Sequence, residues 1–255
     1  MITADHDNAF IRDLDDEGAA SYLRLRPSYP SEALKVLQDT VGNHEEVSVI
    51  DIGAGSGQLT RLLAEHGYRT CAVEPSKAMR SALESQPWVK ETKTRVVEGL
   101  AEDTGLPPQQ ADLITWAQCF HWFDTPQATE EAARLLRPGG VAAALWNQLD
   151  VRKPWVHRLT RIMRSGDVLA RQKPPDLGPK FTDPRGTIVE WTDIQTPEQV
   201  MELGRTRSSY LRSSPDGRLK MQGNLNWYLY ERLGFHPHEP IELPYRTFIW
   251  TATRI

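Results

Sequence analysis

The densest chemical signal in the chain is Val49-Ile50-Asp51-Ile52-Gly53-Ala54-Gly55-Ser56-Gly57-Gln58-Leu59-Thr60, an apolar run that ends in three glycines at alternate positions. Glycine reaches positive φ without steric cost and lets a ligand approach the backbone closely. In a doubly wound sheet such a turn lies at the carboxyl ends of the strands, where ligands bind. The spacing is G-x-G-x-G, so the third glycine comes one residue early for the dinucleotide fingerprint G-x-G-x-x-G, and no Lys-Ser/Thr pair follows to make a phosphate loop. At the end of the next apolar run stands Glu74, in Ala72-Val73-Glu74-Pro75-Ser76. A carboxylate there can accept charge-assisted hydrogen bonds from both ribose hydroxyls of an adenosine ligand. Either element alone could be only a turn or only a solvated strand end. Together, in this order, they describe a nucleoside site.

A second cluster is Gln118-Cys119-Phe120-His121-Trp122-Phe123-Asp124. His121 has the chemistry of a general base near neutral pH, with an unperturbed pKa of roughly 6.5. Its other reading is a ring packed among Phe120, Trp122 and Phe123. Further along, Arg205, Arg207, Arg212, Arg218 and Lys220 alternate with Glu198, Glu202 and Asp216. These are either a solvated helix face or a source of one or two arginines gripping an anion bidentately. Trp227, Tyr228 and Tyr230 read as packing against the body, with an aromatic cage as the alternative. His236 and His238 have no other ligand cluster beside them, and no metal site is expected.

The elements that must position these residues alternate. Ser31 caps a helix through about Val41, with Ala33, Leu34, Leu37 and Val41 on one face. Val47–Ile52 reads as a strand and Gln58 to about His66 as a helix, with Gly67 in the left-handed cap position. Thr70–Glu74 is a second strand, Pro75 and Ser76 start a helix, Arg95–Val97 is a third strand and Asp112–Trp116 a fourth. Thr125-Pro126 opens a helix that Arg137-Pro138-Gly139-Gly140 stops. Val141–Trp146 is a continuous apolar run, as in a central strand buried on both faces. This order implies right-handed βαβ units and a mostly parallel sheet. After residue 150 the pattern changes. It gives a helix over Trp155–Ser165, an irregular loop over 170–186, a strand over Thr187–Asp193, a helix capped by Thr196-Pro197 reaching about Leu211, and another from Ser214-Pro215 to about Leu233. Ile241–Thr253 alternates like an edge or hairpin strand. The expectation is one domain over 1–255, comprising an N-terminal helical segment (20–45) over the ligand site, a core (45–147), substrate-side helices and lid (150–240) and a final strand (241–255).

With 255 residues, 39% hydrophobic and 25% charged, the composition is that of a soluble globular protein. A net charge of −4 weighs against a nucleic-acid footprint. The first eighteen residues carry six acidic groups and no apolar run, so no leader is read there, and no stretch approaches the ~20 apolar residues of a membrane span. Two cysteines, Cys71 and Cys119, do not make a disulfide framework, and both are expected as reduced thiols. A cytoplasmic monomer or homodimer is expected, with no nucleic-acid or membrane partner.

The segment VIDIGAGSGQLTRLLA resembles motif I of class I S-adenosylmethionine-dependent methyltransferases, and AVEPS resembles their motif II. Glu98-Gly99-Leu100-Ala101-Glu102 is similar to the segment that family sets against adenine. Arg26-Pro27-Ser28-Tyr29-Pro30, the 118–124 cluster, Leu145-Trp146-Asn147 and Leu243-Pro244-Tyr245-Arg246-Thr247 resemble a type 11 subgroup that includes relatives of trans-aconitate methyltransferase. The resemblance implies a Rossmann-like, doubly wound seven-stranded sheet with a helical lid insertion near the C-terminus. It implies S-adenosylmethionine as cofactor and S-adenosylhomocysteine as product. Asp51, Gly53, Gly55 and Gly57 would shape the methionine end, Glu74 would hold the ribose, and Ala101 and Glu102 would border the adenine. Gln118 would line the cofactor site, Arg26 with Tyr22 or Tyr29 would reach the cofactor carboxylate, and Ala54, Gln58, Pro75, Ser76 and Met79 would complete the set. Phe120, His121, Trp122, Trp146 and Arg207 would face the acceptor. The Asp/Asn-Pro-Pro-Tyr/Phe sequence of amino-methylating nucleic-acid enzymes is missing after the fourth strand; Pro107-Pro108 and Pro174-Pro175 lie elsewhere. A small-molecule acceptor, methylated on oxygen or a carboxylate, is therefore expected. The alternatives are nitrogen or carbon methylation of a secondary metabolite, a protein that binds the cofactor without transfer, and a nucleotide-dependent oxidoreductase, which the glycine spacing disfavours.

Overall fold

Apolar runs and amphipathic segments alternate along the chain, and in the computed structural model, which describes residues 24–42, 46–165 and 173–255, they fold as that alternation requires. The strands are β1 (Ser48–Ile52), β2 (Arg69–Val73), β3 (Arg95–Val97), β4 (Ala111–Ala117), β5 (Leu136–Leu149), β6 (Arg185–Gln195) and β7 (Ile241–Thr253). They form one seven-stranded sheet in the order β3-β2-β1-β4-β5-β7-β6. Strands β1 to β5 pair parallel along that order, and β7 runs antiparallel to both β5 and β6. The order reverses between β1 and β4, which places a crevice at the carboxyl ends of those two strands.

Helix α1 (Ser31–Val41) buries Ala33, Leu34 and Leu37 on one face of the sheet, against Val49, Leu113, Val141, Leu145 and Ile249. Helix α2 (Gln58–Glu65) adds Leu59 and Leu63 to that cluster. The other face holds Ile52, Ile114, Trp116, Ala142, Ala144 and Trp146 under α5 (Thr125–Leu135), which contributes Ala128, Ala132, Ala133 and Leu135. Helices α3 (Lys77–Glu84) and α4 (Pro87–Glu91) close the β2 side with Leu83, Trp88 and Val89. A fourth cluster forms over the carboxyl end of β5. There α6 (Pro154–Ile162), α7 (Pro197–Arg205) and α9 (Pro215–Asn226), whose last turns continue as a π-helix over Trp227–Arg232, bury Val156, Leu159, Val200, Leu203, Leu225 and Leu229 against Leu149, Leu243 and Tyr245. The late helices are thus the expected insertion. Tyr228 is buried in this cluster, whereas Trp227 is exposed.

Several expectations change. The cap of α1 is Pro30, not Ser31. The cap of α5 is Asp124, whose carboxylate accepts from Gln127 N, so Thr125 is already helical. The segment 136–140 belongs to β5: the register slips between Ala111 and Leu113, and Gly139 at φ 78° absorbs the irregularity. The final strand is interior, since β6 takes the sheet edge. The helix expected from Thr196-Pro197 to Leu211 ends at Arg205, and a short α8 (Ser208–Leu211) follows. Thr206 Oγ1 donates back to Leu203 O, and Arg26 Nη2 donates to Thr206 O, so both carbonyls find partners outside the helical ladder. The start of α7 is as expected: Thr196 and Gln199 exchange side-chain-to-backbone hydrogen bonds in a capping box.

Candidate functional site

Strand β1 delivers the chain into the glycine turn, and each glycine there has a separate reason. Gly53 (φ 69°) turns the chain so that its N–H and that of Ala54 donate to Val73 O; a Cβ at Gly53 would sit 2.8 Å from Cys119 Sγ. Gly57 (φ 88°) caps α2, and a Cβ there would sit 2.3 Å from Leu83 Cδ1. Gly55 (φ 57°) has nothing within 4 Å of a Cβ and faces open space. Its N–H donates to Glu74 Oε2 at 2.8 Å, while Ser76 N donates to Glu74 Oε1 at 2.9 Å. Each carboxylate oxygen keeps a lone pair after these bonds. Glu74 is 5% exposed; burial raises its pKa, against the lowering effect of the Ser76 and Gly55 N–H groups and of Arg80. Arg80 braces the same turn by donating to the carbonyls of Glu74 and Pro75 and to Glu98 Oε2.

Behind the turn lies Asp51, 1% exposed. It accepts from Thr60 Oγ1 at 2.6 Å and from Thr115 Oγ1 at 2.7 Å, tying β1 to α2 and β4. Burial raises its pKa to about 6, and the two hydroxyl donors pull the other way.

These residues border a cleft. Arg26, Tyr29, Gly53, Ala54, Gly55, Gln58, Glu74, Pro75, Met79, Ala101, Glu102, Gln118, Trp122 and Arg207 line it, all of them read from the sequence. Others of that set stand behind or beside it. Asp51 clamps the turn, Gly57 packs under Leu83, and Ser76 caps α3 through Met79 N. Phe120 is buried with its ring 5.0 Å from Trp116 and 6.4 Å from Trp146, so Phe120 and Trp146 are core residues that shape the cleft from outside its lining. His121 is exposed, its ring 4.6 Å from that of Trp122 and tilted from it by 36°, and is not part of the lining. Tyr22 lies outside the described residues.

Cys119, Phe123, Asn147 and Tyr245 also line the cleft and were not singled out by sequence. Burial pushes the Cys119 thiol well up, and the carboxylates of Asp51 and Glu74 push it further; its Sγ donates to Ile52 O at 3.2 Å. Asn147 has the visible signal of a polar residue ending the apolar run of β5. Its Nδ2 donates to Ser28 O at 2.9 Å, and its Oδ1 accepts from Thr247 Oγ1 at 2.6 Å. Trp191 Nε1 in turn donates to Thr247 Oγ1 at 2.9 Å. Gln118 stands in the left-handed region (φ 65°), held by its N–H on Leu145 O and its Nε2 on Asn147 O. A non-glycine residue there costs on the order of 1–2 kcal/mol, which those two bonds offset. The segment carrying Arg26, Pro27 and Tyr29 is fastened by Asn147, by Gln58 Nε2 on Arg26 O, and by Arg26 Nη2 on Thr206 O.

On the opposite wall, Glu102 Oε1 accepts from Asp124 N, and Glu131 accepts from Thr104 N and Oγ1, so the 101–106 loop is tied to the start and middle of α5. Burial opposes ionisation of Glu131, but Arg134 and Thr104 outweigh it and its pKa is lowered. One cleft is thus lined by a two-oxygen acceptor, two guanidinium groups, an amide and a tyrosine.

Residues 50–144 match the family model described as Methyltransferase domain. An uncharacterized methyltransferase of Mycobacterium tuberculosis (strain ATCC 25618 / H37Rv) is 34% identical over 234 residues, 91% of this chain and 92% of that protein. An uncharacterized methyltransferase of Schizosaccharomyces pombe is 30% identical over 81% of this chain and 83% of its own. Among solved structures, a type II methyltransferase from Anaeromyxobacter dehalogenans superposes with a TM-score of 0.65 at 26% identity, over 89% of this chain and 97% of that one. Haemonchus contortus phosphoethanolamine N-methyltransferase 2, in complex with S-adenosyl-L-methionine, shares the fold at 16% identity, with a TM-score of 0.56 over 97% of this chain and 60% of that one.

Proposed function

The chain belongs to the methyltransferase domain family, and from that premise we propose that it transfers the methyl group of S-adenosylmethionine to a small-molecule acceptor, on oxygen or a carboxylate. The observation that carries this reading is Glu74: a buried carboxylate lining the cleft, each oxygen fixed by one backbone donor, beside a glycine whose missing Cβ leaves open space. A ribose with two adjacent hydroxyls fits that acceptor pair, and Ala101 and Glu102 lie along the same cleft for the base. Arg26 and Gln118, which line the same cleft, would take the amino-acid end of the cofactor.

When bound, S-adenosylmethionine supplies a sulfonium-activated methyl group. What this chain adds is alignment and exclusion of water. Holding two reactants in line is worth up to ~7–11 kcal/mol of barrier, and Trp122 and Phe123 give the cleft aromatic faces suited to a sulfonium cation. The test is calorimetric titration with S-adenosylhomocysteine, with NAD in parallel. Micromolar binding of the former and none of NAD is expected. Binding of NAD, or of neither, refutes the reading.

A further inference from the structure

Strand β6 is the last in the sheet order, so it has a strand neighbour on one side only. It is eleven residues long and pairs one to one with β7 along its whole length, with no bulge. Its sequence, RGTIVEWTDIQ, holds neither proline nor lysine. A long, regular edge of this kind is a template for another strand, and folds that keep such an edge unpaired shorten it, bulge it or place charges along it. Two side chains mark the face that β6 leaves open. Ile188 and Ile194 are 47% and 57% exposed. Six residues apart, they point to the same side of the sheet.

Their spacing names the partner. When two identical strands pair antiparallel about a two-fold axis through Trp191, Ile188 of one chain lies opposite Ile194 of the other. The symmetry repeats that match on the far side of the axis. The residues then in register are 187–195, all of them within β6. We propose that two copies of the chain join edge to edge through β6 about this axis, so that one sheet runs unbroken across the dimer. Main-chain hydrogen bonds fill the open edge, and the isoleucine pairs fix the register.

The charges on β6 agree with this axis and with no neighbouring one. Glu190, on the same face as the isoleucines, is met within its own chain by Arg152 at 2.7 Å and by Arg246 at 3.7 Å. Across the axis it faces Thr192. Asp193, on the other face, accepts from Gln195 Nε2 at 2.8 Å and faces Val189 of the second copy. Centred on Glu190 or on Asp193, the pairing would set a carboxylate against its own copy, which is destabilising. Centred on Val189 or on Thr192, it would set an isoleucine against Glu190. Centred on Ile188, it would leave Ile194 beyond the end of the facing strand. Trp191 itself is held over Tyr245, with ring centroids 5.0 Å apart, and comes opposite its own copy as an aromatic pair.

The test is sedimentation equilibrium of the full chain from micromolar to submillimolar concentration, where a reversible dimer is expected. Ile188→Lys and Ile194→Glu are each expected to raise the dimer Kd by roughly tenfold or more, with the far-ultraviolet circular dichroism unchanged. The double variant sets each new lysine opposite a new glutamate of the other copy. Its Kd is expected to return toward the native value and to rise as salt is added. A chain that stays monomeric across the range overturns the proposal. So does a dimer that neither single variant weakens, which would be joined elsewhere on the surface. A double variant that dimerises more weakly than either single one overturns the pairing of Ile188 with Ile194, and the axis with it.

Discussion

Two buried carboxylates flank the glycine turn and do different work. Glu74 faces the cleft with two N–H donors behind it, so removing it takes away a charge-assisted acceptor from the ligand. Glu74→Ala is expected to weaken S-adenosylhomocysteine by about 1.5–3 kcal/mol, roughly 10- to 150-fold in Kd. Unchanged affinity in a folded variant would remove the ribose role. Asp51 is turned away from the cleft, and its effect belongs to stability. Its pKa is raised from 3.8 unfolded to about 6 folded. The folded state therefore holds the proton more tightly, and the stability this contributes is full below pH 3.8 and lost as pH rises through 6. Integrated, the loss is about 3 kcal/mol. Asp51→Asn cannot titrate, so its stability relative to the native protein should improve by about that much between pH 4 and 7. Urea unfolding of both at the two pH values measures it, and a pH-independent gap would show that Asp51 is ionised in both states at no cost.

At the scale of elements, Asn147 shows how one side chain on β5 serves two neighbours at once. Replacing it by Ala deprives Thr247 Oγ1 of its acceptor and releases Ser28 O. Urea unfolding of Asn147→Ala should report a loss of about 1–3 kcal/mol, and a change under 0.5 would make the clamp incidental. The parallel half of the sheet was legible in the sequence because strands buried on both faces, such as the Ala142–Leu145 stretch of β5, must be continuously apolar. The ligand-binding turn was legible because glycine spacing is a local property. What escaped were features decided by distant partners. The alternation in 241–253 is that of a strand with one wet face, yet β7 is interior; Arg246 owes its place to Glu190 on β6, and Thr247 to Asn147 on β5. The break after Arg205 depends on Arg26, which lies 180 residues from Thr206 in the sequence. Tyr245 and Asn147 were visible as residues, but nothing local says that they line one cleft. His121, in contrast, was picked out by its chemistry, which carries no information on where the ring points.

For the whole molecule, the cleft joins the glycine turn, the 101–106 loop, the N-terminal segment and the turn after α7 that carries Arg207, so a ligand that fills it ties all four to one unfolding transition. At a hundred times its Kd, S-adenosylhomocysteine should add about 2.7 kcal/mol of stability, which for a chain of this length is a rise in Tm of roughly 5–10 °C. Differential scanning calorimetry measures it, and a flat Tm at saturating ligand contradicts a site shared among these elements. The bond from Arg26 to Thr206 has a consequence in time as well as in space. A ribosome releases the N-terminal segment early, but its fastening point emerges 180 residues later, a delay of roughly ten to forty seconds at usual elongation rates. Throughout that interval the nascent chain carries a finished glycine turn with one side of the cleft missing. The wall of the cleft that carries Arg26 can be fastened only once the chain has been made as far as Thr206.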